Sequence, residues 1–162
     1  MSPLLHLGLI LIYMALIFFF RKSGILYPFK LLVVYVHEMC HGIATVLTDG
    51  KTVSIEVSGD ESGLHYGKGG NRILILCAGY LGTSLFGALL IISSQQPEMI
   101  KITCWLLIAL FLVFLPKSKS LLAALLNIGF CVVLLGAWWF KEGIILPYLI
   151  AFFGTMSSMY SI

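Results

Sequence analysis

Long apolar segments separated by short polar ones restrict what this chain can fold into. Six segments approach or exceed the length of about 17 residues that an α-helix needs to cross the hydrocarbon core of a bilayer. They comprise residues 3–20, 28–48, 72–94, 100–115, 121–140 and 143–162. Only 10% of the 162 residues are charged, against about a quarter in soluble domains. We therefore predict an all-α, polytopic membrane protein with about six transmembrane helices.

The one long polar interval, residues 49–70, lies between the second and third apolar segments. Apolar and polar residues alternate through residues 52–57, a cluster of Gly, Asp and Ser follows, and residues 64–66 would form a short return strand. We expect a small β-hairpin here, whose exposed strand edge could pair with an extended substrate. The residues expected to make that contact are Thr52, Val53, Ser54, Ile55, Glu56 and Val57. A solvated hairpin that only connects two helices is the alternative.

The second apolar segment contains the sequence His37-Glu38-Met39-Cys40-His41. Residues four apart on an α-helix share one face, so the two imidazoles could bind a single metal ion. Glu38, about a third of a turn away, could act as general base on a water held by that ion. An ionisable group inside a bilayer costs about 2.5 to 3.5 kcal/mol on insertion scales, so three in one turn indicate a function. The pattern predicts a zinc site; a polar cluster for helix packing or proton transfer is the alternative.

Small residues recur every four positions in the third apolar segment, at Gly79, Thr83 and Gly87. This spacing allows two membrane helices to approach closely, and we expect the third helix to pack against the one that carries the histidines. Asn127 is the only amide in the fifth segment, and we expect it to form a hydrogen bond to another helix.

Charge and cysteine content exclude other classes of protein. The net charge of +3 is small and scattered, so we predict no nucleic-acid partner and assign the lysines to membrane surfaces. Basic residues are divided evenly between alternate loops, so they give no membrane orientation. The four cysteines stand singly within apolar segments, which indicates no disulfide framework. Neither the oligomeric state nor the particular membrane follows from the sequence.

Residues 28–92 resemble the site-2-protease-like intramembrane zinc metalloproteases, in particular their compact bacterial and plant-type branch. The matching features are the HExxH sequence in an apolar segment, the Gly69–Arg72 sequence after the hairpin, and the small-residue segment Ala78–Gly87. We treat residues 1–162 as one membrane-embedded domain, with 28–92 as its core and 100–162 as three further spans.

The resemblance implies an enzyme and assigns roles to particular residues. His37 and His41 would bind Zn²⁺, and Glu38 would activate the hydrolytic water. The hairpin would hold an unwound segment of a membrane-protein or peptide substrate. The reaction implied is hydrolysis of a peptide bond within or next to the membrane.

The sequence departs from that family at the third metal ligand. The family takes this ligand from an aspartate on a later membrane helix, whereas no aspartate follows Asp60 here, and the family's Asn-Pro/Leu-Asp-Gly motif is missing. One hypothesis is a truncated or divergent form whose aspartate would follow Ile162. Otherwise His65, Asp49 or Cys40 would have to substitute. The departure keeps two other functions open: a catalytically inactive relative that binds membrane-protein segments, and a small metal or proton transporter.

Overall fold

The computed structural model describes residues 3–140 and 144–160, which form six α-helices and one β-hairpin. The helices are α1 (Pro3–Phe20), α2 (Tyr27–Leu47), α3 (Arg72–Ser93), α4 (Pro97–Phe114), α5 (Leu121–Trp139) and α6 (Leu146–Tyr160). The antiparallel strands β1 (Lys51–Val57) and β2 (Gly63–Lys68) lie between α2 and α3, as predicted. A single 3-10 turn, Leu115–Lys117, follows α4. Residues 143, 161 and 162 of the predicted sixth segment lie outside the described residues.

Five of these helices, α1 to α5, are long and apolar enough to cross a membrane. Helix α6 has 15 residues, or about 22 Å of length at 1.5 Å per residue, against a hydrocarbon core of about 30 Å. The chain is therefore an integral, multi-pass membrane protein, and the predicted all-helical architecture with one hairpin is confirmed. Within the described residues, its sixth helix is shorter than the other five.

Helix α2 is the central helix of the fold. It packs against α3, α5, α6 and both strands. In its membrane-spanning part 56% of the residues are buried, whereas the other four long helices have between 11% and 33% buried. Ionisable side chains in a membrane must be shielded from lipid. Of the five long helices, α2 is the one most shielded by its neighbours.

The small residues of α3 face two different helices in succession. Gly79, Thr83 and Gly87 are buried. A Cβ atom added to Gly79 would meet the histidines of α2, whereas one added to Gly87 would lie 2.5 Å from the carbonyl oxygen of Gly154 in α6. The predicted packing of α3 against α2 is confirmed, and α6 is the neighbour of the second half of α3. Small residues at this spacing let the helix backbones come close together.

The hairpin lies alongside α2 instead of projecting from its end. The hydroxyl of Tyr27 donates a hydrogen bond of 2.6 Å to the carbonyl oxygen of Gly59 in the turn. Lys30 and Glu61 form an ion pair with an N–O distance of 3.1 Å. These two contacts hold the hairpin turn against the beginning of α2, so that both strands run past the middle of the helix.

Asn127 forms the predicted hydrogen bonds between helices. Its side-chain Nδ2 donates to the hydroxyl of Tyr35 on α2 and to the carbonyl oxygen of Phe111 on α4, both at 2.7 Å. The Tyr35 hydroxyl also lies 2.9 Å from the Ser118 hydroxyl. Asn127 and Tyr35 are fully buried, so these bonds join α2, α4 and α5 at fixed positions within the bundle.

Candidate metal centre

The two histidines of the HExxH sequence lie together on one face of α2. Their ring centroids are 4.8 Å apart and their planes are nearly perpendicular, at 83°. The ligating atoms of His37, Glu38 and His41 lie within 4.8 Å of one another. The helical spacing therefore brings together three side chains that could hold a metal ion.

A contact from α3 fixes the orientation of the His41 ring. Its Nδ1 lies 2.6 Å from the carbonyl oxygen of Ile75. Because a carbonyl oxygen only accepts hydrogen bonds, Nδ1 must carry the proton, and Nε2 keeps a free lone pair. Metal-binding histidines usually have such a partner on the other ring nitrogen.

The Ile75 carbonyl is positioned by the start of α3. The Asn71 side chain accepts hydrogen bonds from the backbone N–H groups of Ile73 and Leu74, which caps the helix. The role of Ile75 could not be predicted from the sequence, because its backbone carbonyl makes the contact and any residue type has one. The capping asparagine before an apolar run was the available signal.

Gly79 and Tyr80 of α3 pack against the histidine rings of α2. A Cβ atom on Gly79 would meet Nε2 of His37 and would lie 2.5 Å from Cε1 of His41. The ring of Tyr80 meets the ring of His37 edge-on, with centroids 4.7 Å apart. The spacing of small residues predicted only that Gly79 packs against another helix, because such spacing does not indicate which side chains the glycine meets.

Glu38 is 7% exposed and lies beneath the first residue of β2. A Cβ atom on Gly63 would lie 2.5 Å from its Oε1 atom. A cleft of about 330 Å³ adjoins Glu38 and His37 and is also lined by Lys30, Glu61 and Tyr160. The cleft therefore extends from Lys30, near the start of α2, to Glu38 in its middle.

A family comparison agrees with the geometry of this centre. The family model for Peptidase M50B-like proteins matches residues 10–162, which is nearly the whole chain. The chain belongs to the Peptidase M50B-like family. This is the site-2-protease family that residues 28–92 resembled, and its members are peptidases. No curated protein and no solved structure matches the chain.

In this Peptidase M50B-like chain the edge of β1 that faces away from β2 already forms hydrogen bonds to another part of the chain. The Lys119 amide donates to the Ile55 carbonyl oxygen at 3.0 Å. The Ser120 hydroxyl bonds both the N–H and the carbonyl oxygen of Val57, each at 3.0 Å. Of the predicted contact residues, Thr52, Ser54, Ile55 and Val57 are buried, Glu56 is partly buried and Val53 is exposed. The edge expected to receive a substrate therefore pairs with residues 118–120 over its second half.

The three residues considered as substitutes for the third ligand lie at different distances from the histidines. Asp49 is exposed and lies beyond the end of α2, eight residues after His41. Cys40 faces α3, where a Cβ atom on Gly82 would lie 2.9 Å from its sulfur. The ring of His65 lies 6.2 Å from that of His41, centroid to centroid. Partial burial and the neighbouring His41 lower the pKa of His65 below its ordinary value.

Proposed function

We propose that this protein is an intramembrane zinc metalloendopeptidase that hydrolyses peptide bonds of membrane-embedded or membrane-proximal substrates. The observation that carries the proposal is the convergence of His37, Glu38 and His41 on a buried helix in a member of a peptidase family. Zinc favours imidazole nitrogen at about 2.0 to 2.1 Å. The free Nε2 of His41, fixed by the Ile75 carbonyl, fits that preference.

The roles of the motif residues follow from their chemistry. His37 and His41 would hold the zinc ion. When bound, zinc lowers the pKa of a water molecule and polarises the carbonyl group of the substrate. The Glu38 carboxylate accepts the proton of the attacking water and passes it to the amide nitrogen that leaves. Burial of Glu38 beneath Gly63 keeps this carboxylate away from bulk solvent, with access through the adjoining cleft.

The open edge of β2 is the place where a substrate segment would pair. The Ile55 carbonyl oxygen accepts its hydrogen bond from Lys119 and so points away from β2. Ile55 and its partner His65 are therefore one of the residue pairs of an antiparallel sheet that share no backbone hydrogen bonds. The backbone groups of His65 and Gly63 therefore point away from β1. Among the described residues the sheet has only two strands, so this edge has no partner strand. An extended peptide bound there would pass Gly63 and come close to Glu38.

Substitution of Glu38 by Gln tests the proposed reaction. Purified chain in liposomes is incubated with a set of transmembrane peptides, and the products are identified by mass spectrometry. Glu38→Gln should lower cleavage by about 10² to 10⁴, which is the contribution typical of a general base, while zinc stays bound. Glu98→Gln, the same change at an exposed position in the first turn of α4, should cleave like the wild type.

Other outcomes would replace the proposal. Wild-type rates in Glu38→Gln would exclude Glu38 as the base. Capture of membrane segments without cleavage in either form would indicate an inactive, binding relative. Zinc or proton flux into liposomes that depends on His37 and His41, without cleavage, would indicate a transporter.

A further inference from the structure

The metal centre needs a third protein ligand that the HExxH sequence does not supply. Catalytic zinc sites use three protein ligands and keep one position open. Among the described residues, the group of potential ligands whose atoms lie together consists of His37, Glu38 and His41, and Glu38 is required as the base. Within residues 3–140 and 144–160, the third ligand would then come from an element other than α2, and the inference below rests on the proposed function.

Strand β2 places a third imidazole beside these two. Gly63, His65 and Gly67 alternate along β2 and so face the same side of the hairpin. A Cβ atom on Gly63 would meet Glu38, and one on Gly67 would lie 3.1 Å from Cγ2 of Thr45, so this side faces α2. The two glycines let β2 lie close against α2 on either side of His65. The His65 ring is thereby directed at the helix face that carries the motif histidines.

The separation of the rings is close to that of two histidines on one metal ion. With metal–nitrogen distances of about 2.0 to 2.1 Å and tetrahedral angles, two ring centroids lie about 5 Å apart. The His37 and His41 centroids are 4.8 Å apart, and those of His41 and His65 are 6.2 Å apart. A shift of about 1 Å in the His65 ring would bring its separation from His41 to that of two imidazoles on one ion.

The hydrogen bonds around His65 leave a nitrogen free for a metal ion. The Thr52 hydroxyl donates its proton to the carbonyl oxygen of Gly42, at 2.9 Å. Its oxygen lies 3.4 Å from Nε2 of His65 and can only accept there, so Nε2 carries the proton. The lone pair is then on Nδ1. In His41 the hydrogen-bonded nitrogen is Nδ1 and the free one is Nε2. In His65 the two nitrogens have the opposite roles, and each ring keeps one nitrogen available for a metal ion.

Carboxylates on the hairpin are less suitable. Glu61 pairs with Lys30, which is seven residues before His37 and so about 10 Å away along α2. Glu56 neighbours Ile55, the partner of His65, and adjacent strand residues face opposite sides of a sheet. Glu56 therefore points away from the metal centre.

We propose that His65 is the third protein ligand of the metal ion, in the place where the family uses a carboxylate from a later helix. The hairpin then supplies both a metal ligand and the strand edge to which a substrate would bind. Binding of the metal would tie β2 to α2 next to Glu38.

Zinc binding by the purified full-length chain in detergent tests this assignment. Wild type should bind one zinc ion per chain, and the double variant His37→Ala/His41→Ala should bind none. His65→Ala should weaken zinc binding by more than about 100-fold, since even outer partners of zinc ligands contribute 10- to 100-fold. Tyr66→Ala, a change at the next residue of the same strand but on its other side, should bind zinc like the wild type.

The possible failures are distinct from one another. Wild-type zinc affinity in folded His65→Ala would overturn the assignment of His65 and leave the proposed enzyme intact. Failure of the wild type to bind zinc would overturn the proposed enzyme itself.

Cobalt substitution tests the contact directly and does not depend on an affinity. In His65→Cys loaded with Co²⁺, a thiolate ligand should add a charge-transfer band in the near ultraviolet that the wild type lacks. A spectrum identical to that of the wild type in folded, cobalt-loaded His65→Cys would overturn the assignment.

Discussion

At the scale of single residues, two glycines determine how closely other elements approach the motif. Gly79 brings α3 against both histidine rings, and Gly63 brings β2 against the Glu38 carboxylate. Neither position contributes a functional group, yet each removes the volume that a side chain would fill. A glycine that faces a polar residue in a membrane helix is therefore as informative about the site as the polar residue itself.

Gly79→Ala should disrupt the metal centre. The added methyl group would overlap both histidine rings, with 2.5 Å to Cε1 of His41, and such overpacking costs about 1 to 3 kcal/mol. We expect weaker zinc binding and a lower free energy of unfolding, measured by metal titration and by denaturant titration in mixed micelles. Gly136→Ala in α5 is the matched control, because nothing lies within 4 Å of a Cβ atom there. An equal effect of both changes would contradict this explanation.

At the scale of secondary-structure elements, the hairpin has one closed edge and one open edge. Ser120 closes β1 and at the same time caps α5, since its hydroxyl oxygen accepts a hydrogen bond from the Ala123 amide. Tyr27 and Lys30 hold the turn at the other end. The hairpin is thus held by α2 along one face, by residues 118–120 along β1, and by the start of α2 at its turn. The edge of β2 is where another strand can be added.

Ser120→Ala should lower the free energy of unfolding by about 1 to 2 kcal/mol. The change removes the cap of α5 and leaves the backbone groups of Val57 without their partner. Denaturant titration measures the loss. Ser120→Thr keeps the hydroxyl and should retain most of the stability; if Ser120→Thr loses as much as Ser120→Ala, the hydroxyl is not the cause.

Amide exchange should distinguish the two sets of N–H groups on β2. The amides of Leu64 and Tyr66, which face β1 in the observed register, should exchange slowly with or without a substrate peptide. The amides of Gly63 and His65 should exchange rapidly in the free protein and slowly after a non-cleavable peptide is added. Residue-resolved exchange by NMR in micelles measures both sets. Protection of all four amides in the free protein would mean that the edge is already paired.

At the scale of the whole molecule, zinc should stabilise the fold. A ligand that binds only the folded state adds about 2.7 kcal/mol at a concentration 100 times its Kd. Thermal unfolding in detergent should therefore shift upward on zinc addition and downward on chelation. His37→Ala/His41→Ala should show neither shift. A zinc-dependent shift of the same size in that variant would place the ion elsewhere.

Much of this architecture follows from local patterns in the sequence. Apolar length predicted the helices, alternation predicted the hairpin, and the lone amide Asn127 predicted a bond between helices. The closure of β1 did not follow, because Ser120 lies 63 residues from Val57 and nothing local marks the contact. The position of His65 was equally hidden, because it depends on how the hairpin folds back along α2.

The close contact between Gly87 and Gly154 has a consequence for biosynthesis. The carbonyl oxygen of each residue lies within 3 Å of where the other's Cβ would be, so α3 and α6 meet backbone to backbone. During synthesis α3 is translated before α6, so the Gly87 face of α3 cannot make this contact until α6 has been added. The contact of α3 with α2 at Gly79 needs no residue of α6, so it can form before the second half of α3 is covered. A ribosome stalled before α6 would carry the complete HExxH sequence in a bundle that has not yet closed.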